Sequence, residues 1–238
     1  MNINFSMSKS LLIYIISGTF ILIINSCNIV NNTTLPIGIY VVSDIGDIYI
    51  IYPNESSDKL LLSTNINTLF DIAISKKNNS ILYGITPNSI ITINLDNNKI
   101  SILDNSIGGN ALTFLNQNLL VGINNNEVFI YDLYNKLIKN SFYLSNSCKS
   151  SGDLALFKGI LYASVNCGNT TDYLMVLDLN NKSTYIVGNI KFSGVYGLSV
   201  YDDKLFGFTI NGLLININTT TGEGTYLRNL SFNAHGSE

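Results

Sequence analysis

The chain has 238 residues, enough for one domain with a sizeable core, and 12% of them are charged against 46% hydrophobic, for a formal net charge of −3. Thirteen Lys and Arg, with Arg228 the only arginine, make no basic footprint, so no nucleic-acid partner is expected. A single histidine, His235, sets aside most Ser-His-Asp, Cys-His and multi-histidine metal chemistry, and the absence of Trp removes the best sugar-stacking side chain; no catalytic residue, metal or cofactor is expected.

In chain order, Lys9 precedes an apolar run over residues 11–24 that is short for a membrane span, followed by Asn25, Ser26 and Cys27. A basic start, a short apolar centre and small residues before a cut describe an export signal. The string Ile24-Asn25-Ser26-Cys27 resembles the lipobox of bacterial lipoproteins, with Asn25 where Ala, Ser or Thr is more usual. The resemblance implies cleavage before Cys27 and a diacylglycerol on its thiol, an anchor to which each buried methylene contributes ~0.8 kcal/mol. The expected organisation is a signal peptide over 1–26, a lipidated cysteine and polar tether over 27–35, and a folded domain over 36–238. The expected location is outside the cytosol, held by lipid at a bacterial cell envelope or outer membrane. Plain secretion and an uncleaved anchor helix are the alternatives.

From Pro36 onward the chain repeats. Ile (34 residues) clusters in short runs and Asn (35 residues) clusters between them, as strands and turns require. A triplet of the kind apolar-aromatic-small recurs as Ile39-Tyr40-Val41, Leu82-Tyr83-Gly84, Leu120-Val121-Gly122, Leu161-Tyr162-Ala163 and Leu205-Phe206-Gly207, at intervals of 43, 38, 41 and 44 residues. About ten residues after each comes Ile51-Tyr52, Ile93-Asn94, Tyr131-Asp132, Leu177-Asp178 or Ile215-Asn216, and most triplets are preceded by a run such as Asp71-Ile72-Ala73-Ile74 or Asp153-Leu154-Ala155-Leu156. The recurrence of Asn94, Asp132, Asp178 and Asn216 at one repeat position argues for turn bonding. Each unit of about 40 residues thus holds four short strands, the pattern of a β-propeller blade. The expected fold is all-β: a five-bladed β-propeller with four-stranded blades. The first blade begins at its second strand, and its inner strand comes from the C-terminal residues 231–238, which parallel residues 192–199.

Strings such as Val195-Tyr196-Gly197-Leu198, Lys204-Leu205-Phe206-Gly207-Phe208-Thr209 and Gly212-Leu213-Leu214-Ile215-Asn216 resemble the YVTN, NHL and quinoprotein-like propeller repeats of exported bacterial proteins. Those families include adhesins, scaffold modules and some sugar or lactone enzymes, usually with more blades.

Cys148 precedes the inner strand of the fourth blade and Cys167 follows its second strand. Propeller topology puts both loops on one face, so a Cys148–Cys167 disulfide is expected, on a rim that also carries the longest loops. The inner-strand positions Asp71, Ala111 beside Asn110, Asp153, Gly197 beside Tyr196, and His235 are expected to ring the central channel. Asp71, Asn110, Asp153, Tyr196 and His235 are therefore the candidate ligand residues. Two carboxylates can share a proton or bind a cation, but Asp71 and Asp153 fall on non-neighbouring blades, and none of the four glutamates (Glu55, Glu127, Glu223 and Glu238) is placed near them. The alternative is that each aspartate holds backbone N–H groups at a strand start. The expected function is a lipid-anchored, non-enzymatic binding or scaffold propeller whose ligand is a protein or a glycan. The alternatives are a sugar- or lactone-acting hydrolase, or a lectin, using the channel.

Overall fold

The computed structural model describes residues 36–145 and 147–238; the expected signal peptide (1–26), tether (27–35) and lipidation at Cys27 lie outside the described residues. Twenty strands, and no helix among the described residues, form five antiparallel sheets of four. Blade one holds β1 (Ile39–Ser43), β2 (Asp47–Ile51) and β3 (Lys59–Ser63). Blade two holds β4 (Asp71–Ile74), β5 (Ile81–Ile85), β6 (Ile90–Asn94) and β7 (Lys99–Asp104), and blade three holds β8 (Ala111–Phe114), β9 (Leu119–Asn124), β10 (Glu127–Asp132) and β11 (Leu137–Tyr143). Blade four holds β12 (Lys149–Phe157), β13 (Ile160–Asn166), β14 (Tyr173–Asp178) and β15 (Ser183–Asn189). Blade five holds β16 (Val195–Tyr201), β17 (Lys204–Thr209), β18 (Leu213–Ile217) and β19 (Gly224–Asn229).

The last strand, β20 (Ala234–Ser237), pairs antiparallel with β1 and completes blade one, so the sheet order there is β20-β1-β2-β3. Tyr40 N–H donates to Glu238 O and Glu238 N–H to Tyr40 O, both at 2.8 Å. The molecule is a five-bladed β-propeller whose ring is closed by a C-terminal strand. Arg228 on β19 reinforces the seam, pairing with Asp58 of blade one at 2.8 Å.

Why a ring forms follows from the two-residue period of a strand, which sends successive side chains to opposite faces of the sheet. In β1, Tyr40 and Val42 pack against blade two, whereas Ile39 and Val41 pack against blade five. In β12, Leu154 packs against blade three and Ala155 against blade five. Five apolar clusters result among the described residues, one in each seam between neighbouring blades. The small third residue of the repeat triplet is explained by this packing: a Cβ on Gly122 would overlap the Phe129 ring of the adjacent strand.

The strand register defines two faces. Asp71 lies opposite Ile85, Ile85 opposite Ile90, and Ile90 opposite Asp104, so inner strands begin on the same face as the loops between second and third strands. This is called the upper face below. Turns between third and fourth strands lie on the lower face, and there the repeated acidic or amide residue caps a turn. Asn94 Oδ1 accepts from Asp96 N–H, Asp132 Oδ1 from Tyr134 and Asn135, and Asp178 Oδ1 from Asn180 and Asn181. In blade five the capping residue is Asn218, which accepts from Thr220 and Thr221, and not Asn216, which pairs with Thr225 inside the ladder. The cap in blade five therefore falls two residues after the repeat position expected from the sequence.

Candidate functional site

The axis of the ring is lined by one equivalent position of each inner strand and by the residue two positions on. Asp71, Ala111, Asp153, Gly197 and Gly236 form one layer, as their equivalent ladder registers show. The blade-one position is Gly236 and not His235, which stands one residue earlier in the layer of Phe70, Asn110 and Tyr196. Three small residues in five leave room for two carboxyls, and a Cβ on Gly236 would overlap the Asp71 carboxyl.

Both aspartates are 0% exposed. Burying ionisable groups so completely is costly unless every oxygen is hydrogen-bonded. Asp71 Oδ1 accepts from Ile72 N–H and Oδ2 from Leu112 N–H, each at 2.7 Å. Asp153 Oδ1 accepts from Leu154 N–H at 2.5 Å, and Oδ2 from Leu198 N–H at 2.6 Å, Ser237 N–H at 2.9 Å and Ser237 Oγ at 3.2 Å. These donors come from all five inner strands. The expectation that separate blades would keep the two aspartates apart is corrected: their carboxyls hydrogen-bond to each other across the axis.

Burial pushes both carboxyls well above the ordinary range, and the Asp153 charge pushes Asp71 further. Asp153 receives four protein donors and Asp71 two. Asp153 is therefore the more acidic of the two, and the proton the pair shares sits on Asp71, which donates it to Asp153. The pair acts as a plug that ties the inner strands together, with no solvent-facing oxygen offered to a substrate.

Above the plug, the His235 ring meets Phe70 edge-on at a centroid distance of 5.8 Å and Tyr196 at 5.9 Å. Burial pushes its imidazole below the usual value, so the neutral ring prevails at pH 7. Asn110 Nδ2 donates to Ser150 O at 3.2 Å. Asn110, Tyr196 and His235 thus share the upper mouth, while Asp71 and Asp153 lie in the layer beneath it.

Below the plug is the next inward-facing layer, with Thr113, Ala155, Ser199 and Glu238. A cavity of about 110 Å³ opens there, lined also by Lys76. The expectation that no glutamate approaches the channel is corrected by Glu238, which accepts from Thr113 Oγ1 at 3.3 Å. Burial pushes its carboxyl up to about 7, opposed by the Lys76 ammonium. Lys76 Nζ itself donates to Phe114 O at 3.1 Å. Sequence reasoning missed this layer, although strand alternation places it two residues beyond each plug position.

On the upper rim, Cys148 and Cys167 are joined by a disulfide that ties the loop entering β12 to the loop leaving β13. Asp172 lies in the latter loop, 2% exposed. Its carboxylate accepts from Val195 N–H of blade five at 2.7 Å and from Asn166 Nδ2 at 3.0 Å. Among the described residues, no group of three or more His, Cys, Asp or Glu is placed to hold a metal ion.

No family model matches the chain, and no curated protein matches it. Among solved structures it is similar to a chain of a nidogen/laminin complex, with 10% identity, 84% of this chain and 97% of that chain covered, and a TM-score of 0.55. It is also similar to BamB from Moraxella catarrhalis, with 14% identity, 79% and 68% covered, and a TM-score of 0.41. At 10% identity the likeness to the nidogen/laminin chain shows the fold alone.

Proposed function

We propose that this protein is an exported, lipid-anchored propeller whose upper rim at blade four binds a protein partner, and that it is not an enzyme. The observation that carries the reading is the disulfide between the two loops of that rim. A covalent tie across exposed loops limits the conformational entropy lost when a surface docks, and loops held on a rigid scaffold are the usual seats of recognition. The rim lies on the face opposite to the one where β1 begins, at Ile39 opposite the end of β2 at Ile51. A hydrolytic role for Asp71 and Asp153 is disfavoured because every carboxyl oxygen is engaged by backbone or side-chain donors inside the ring.

The test places a photo-activated cross-linking residue at Asn169, on the rim, or at Asn180, on the lower face, in the full chain expressed in bacteria. A discrete protein adduct from position 169 and none from 180 supports the reading. Adducts from neither position, or from 180 alone, overturn it. Anchoring is tested separately by Cys27→Ser, which should abolish incorporation of labelled fatty acid and release the chain from the membrane fraction.

A further inference from the structure

The repeats supply an internal control for the side chains the fold itself requires. In blades two to five, an Asn or Asp caps the turn between the third and fourth strands, and its side-chain oxygen accepts from the N–H two residues on. The residue bearing that N–H is Asp96, Asn180 or Thr220 in blades two, four and five. In blade three it is Tyr134, a residue 87% exposed. Three blades close the same turn with a small polar residue, so folding does not call for the ring. An aromatic side chain held in water costs apolar hydration that burial against a ligand would recover.

Tyr134 stands at the edge of a lower-face groove of about 370 Å³, within the size range of small-molecule sites. Leu119 adds a second apolar side chain to the lining, and the remaining residues are polar. Asn116 and Asn118 come from the turn between β8 and β9, Asp132 from the end of β10, Asn135 from the turn that follows it, and Lys139 from β11. Asp132 is held in place by Asn135 Nδ2 at 3.0 Å and by Lys139 at 3.7 Å. The Asn135 hydrogen bonds hold its carboxyl below the usual carboxylate range. Asn116 Oδ1 closes its own turn, accepting from Asn118 N–H at 2.9 Å, and Asn118 Oδ1 accepts from Lys77 Nζ at 2.5 Å.

We propose that this groove binds one neutral hexopyranose unit of a glycan, with an apolar face of the sugar stacked on Tyr134. Charge selects the ligand class. Asp132 and Lys139 balance within the groove, so an anionic ligand would meet the carboxylate and a cationic one the ammonium. A neutral polyol incurs neither repulsion. Its hydroxyls both donate and accept, matching a lining that offers amide and ammonium donors beside amide and carboxylate acceptors. Blades two, four and five lack the ring at this turn position, so the site is not repeated in them. The groove lies on the opposite face from the disulfide-bonded rim, so the proposal stands or falls independently of the protein-partner reading.

The experiment is saturation-transfer NMR on the full chain with the methyl glycosides of glucose, galactose, mannose and N-acetylglucosamine, each titrated to about 20 mM, a range suited to weak single-sugar binding. At least one glycoside should show transfer concentrated on the protons of one ring face. Tyr134→Ala should weaken it by about tenfold or more, and Tyr134→Phe should leave it within about twofold, since the ring does the stacking. Tyr185→Ala, which removes another exposed ring on blade four, should change nothing. Melting curves show whether each variant is folded. Absence of transfer from all four glycosides, or transfer that survives Tyr134→Ala in a folded variant, overturns the proposal.

Discussion

Asp71 and Asp153 belong to blades separated by a third, yet their buried carboxyls hydrogen-bond to each other on the ring axis. Between them they accept backbone N–H groups from β4, β8, β12, β16 and β20. The two side chains are unequal partners, and that inequality can be measured.

Asp71→Asn keeps a neutral donor facing Asp153 but loses one acceptor for a backbone N–H. It should cost about 1–2 kcal/mol, the value of one unsatisfied buried group. Asp153→Asn removes the charge that four donors converge on and turns an NH2 toward other donors, which should cost roughly 3–5 kcal/mol. Urea unfolding of the two variants checks the order. Equal losses, or a greater loss at Asp71, would place the proton on the wrong carboxyl.

Stability should fall as the pH rises from mildly acidic to mildly basic. Burial raises the axial carboxyls and lifts Glu238 from 4.5 to about 7. A carboxyl with a higher pKa folded than unfolded binds its proton better in the native state. Its contribution is complete below the unfolded pKa and lost as pH climbs through the folded one. The share due to Glu238 disappears between 4.5 and about 7. Asp104, Asp132 and Asp178 are shifted downward by their hydrogen bonds and act at the acid end, outside this window, whereas His235, shifted downward by burial, acts inside it with the opposite sign and offsets part of the loss. The melting temperature should therefore drop by roughly 3–6 °C between about pH 5 and about pH 7.5. Glu238→Gln should remove part of the drop, and a melting temperature that rises across the interval would contradict the assignment.

Removing residues 232–238 deletes β20, and with it the ladder to β1 and both Ser237 donors to Asp153. The shortened chain should lose its cooperative thermal transition. A gentler probe of the same seam is Gly236→Ala, whose Cβ would overlap Asp71; overpacking of that kind costs about 1–3 kcal/mol. A truncated chain with an unchanged calorimetric peak would refute ring closure as the source of cooperativity.

The disulfide closes a loop with a sequence separation of 19, for which the chain-entropy model gives about 3 kcal/mol. The double variant Cys148→Ser, Cys167→Ser should melt lower by roughly 6–12 °C while keeping its strand content by circular dichroism. A loss of strand signal at room temperature would mean that the bridge is needed for folding itself.

The blade count and the closing strand were legible because each repeat carries its own turn residues and its own small residue behind the second strand. The axial layer was only half legible. Asp71 and Asp153 stood out as polar residues at strand starts, but nothing local says that they meet. That depends on Ala111, Gly197 and Gly236 being too small to keep them apart, a relation between residues on five different sheets. A glycine carries no chemistry to notice, so Gly236 was passed over in favour of the titratable His235 beside it. Glu238 was missed for a related reason: its approach to the axis depends on the register of β20 against β1, where Ser43–Ala234 and Val41–Ser237 leave an irregularity between them. The groove beside Tyr134 became visible only when the turns of four blades could be compared in space.

Pairing β1 with β20 sets a timetable for biosynthesis. The first sheet to leave the ribosome must wait, its inner edge unpaired, until β20 has been made. Blades two to five can each assemble in turn, but Asp153 gains its Ser237 donors only at the final step. Until that step the chain is an open arc, and the pairing of β20 with β1 is what turns it into a ring.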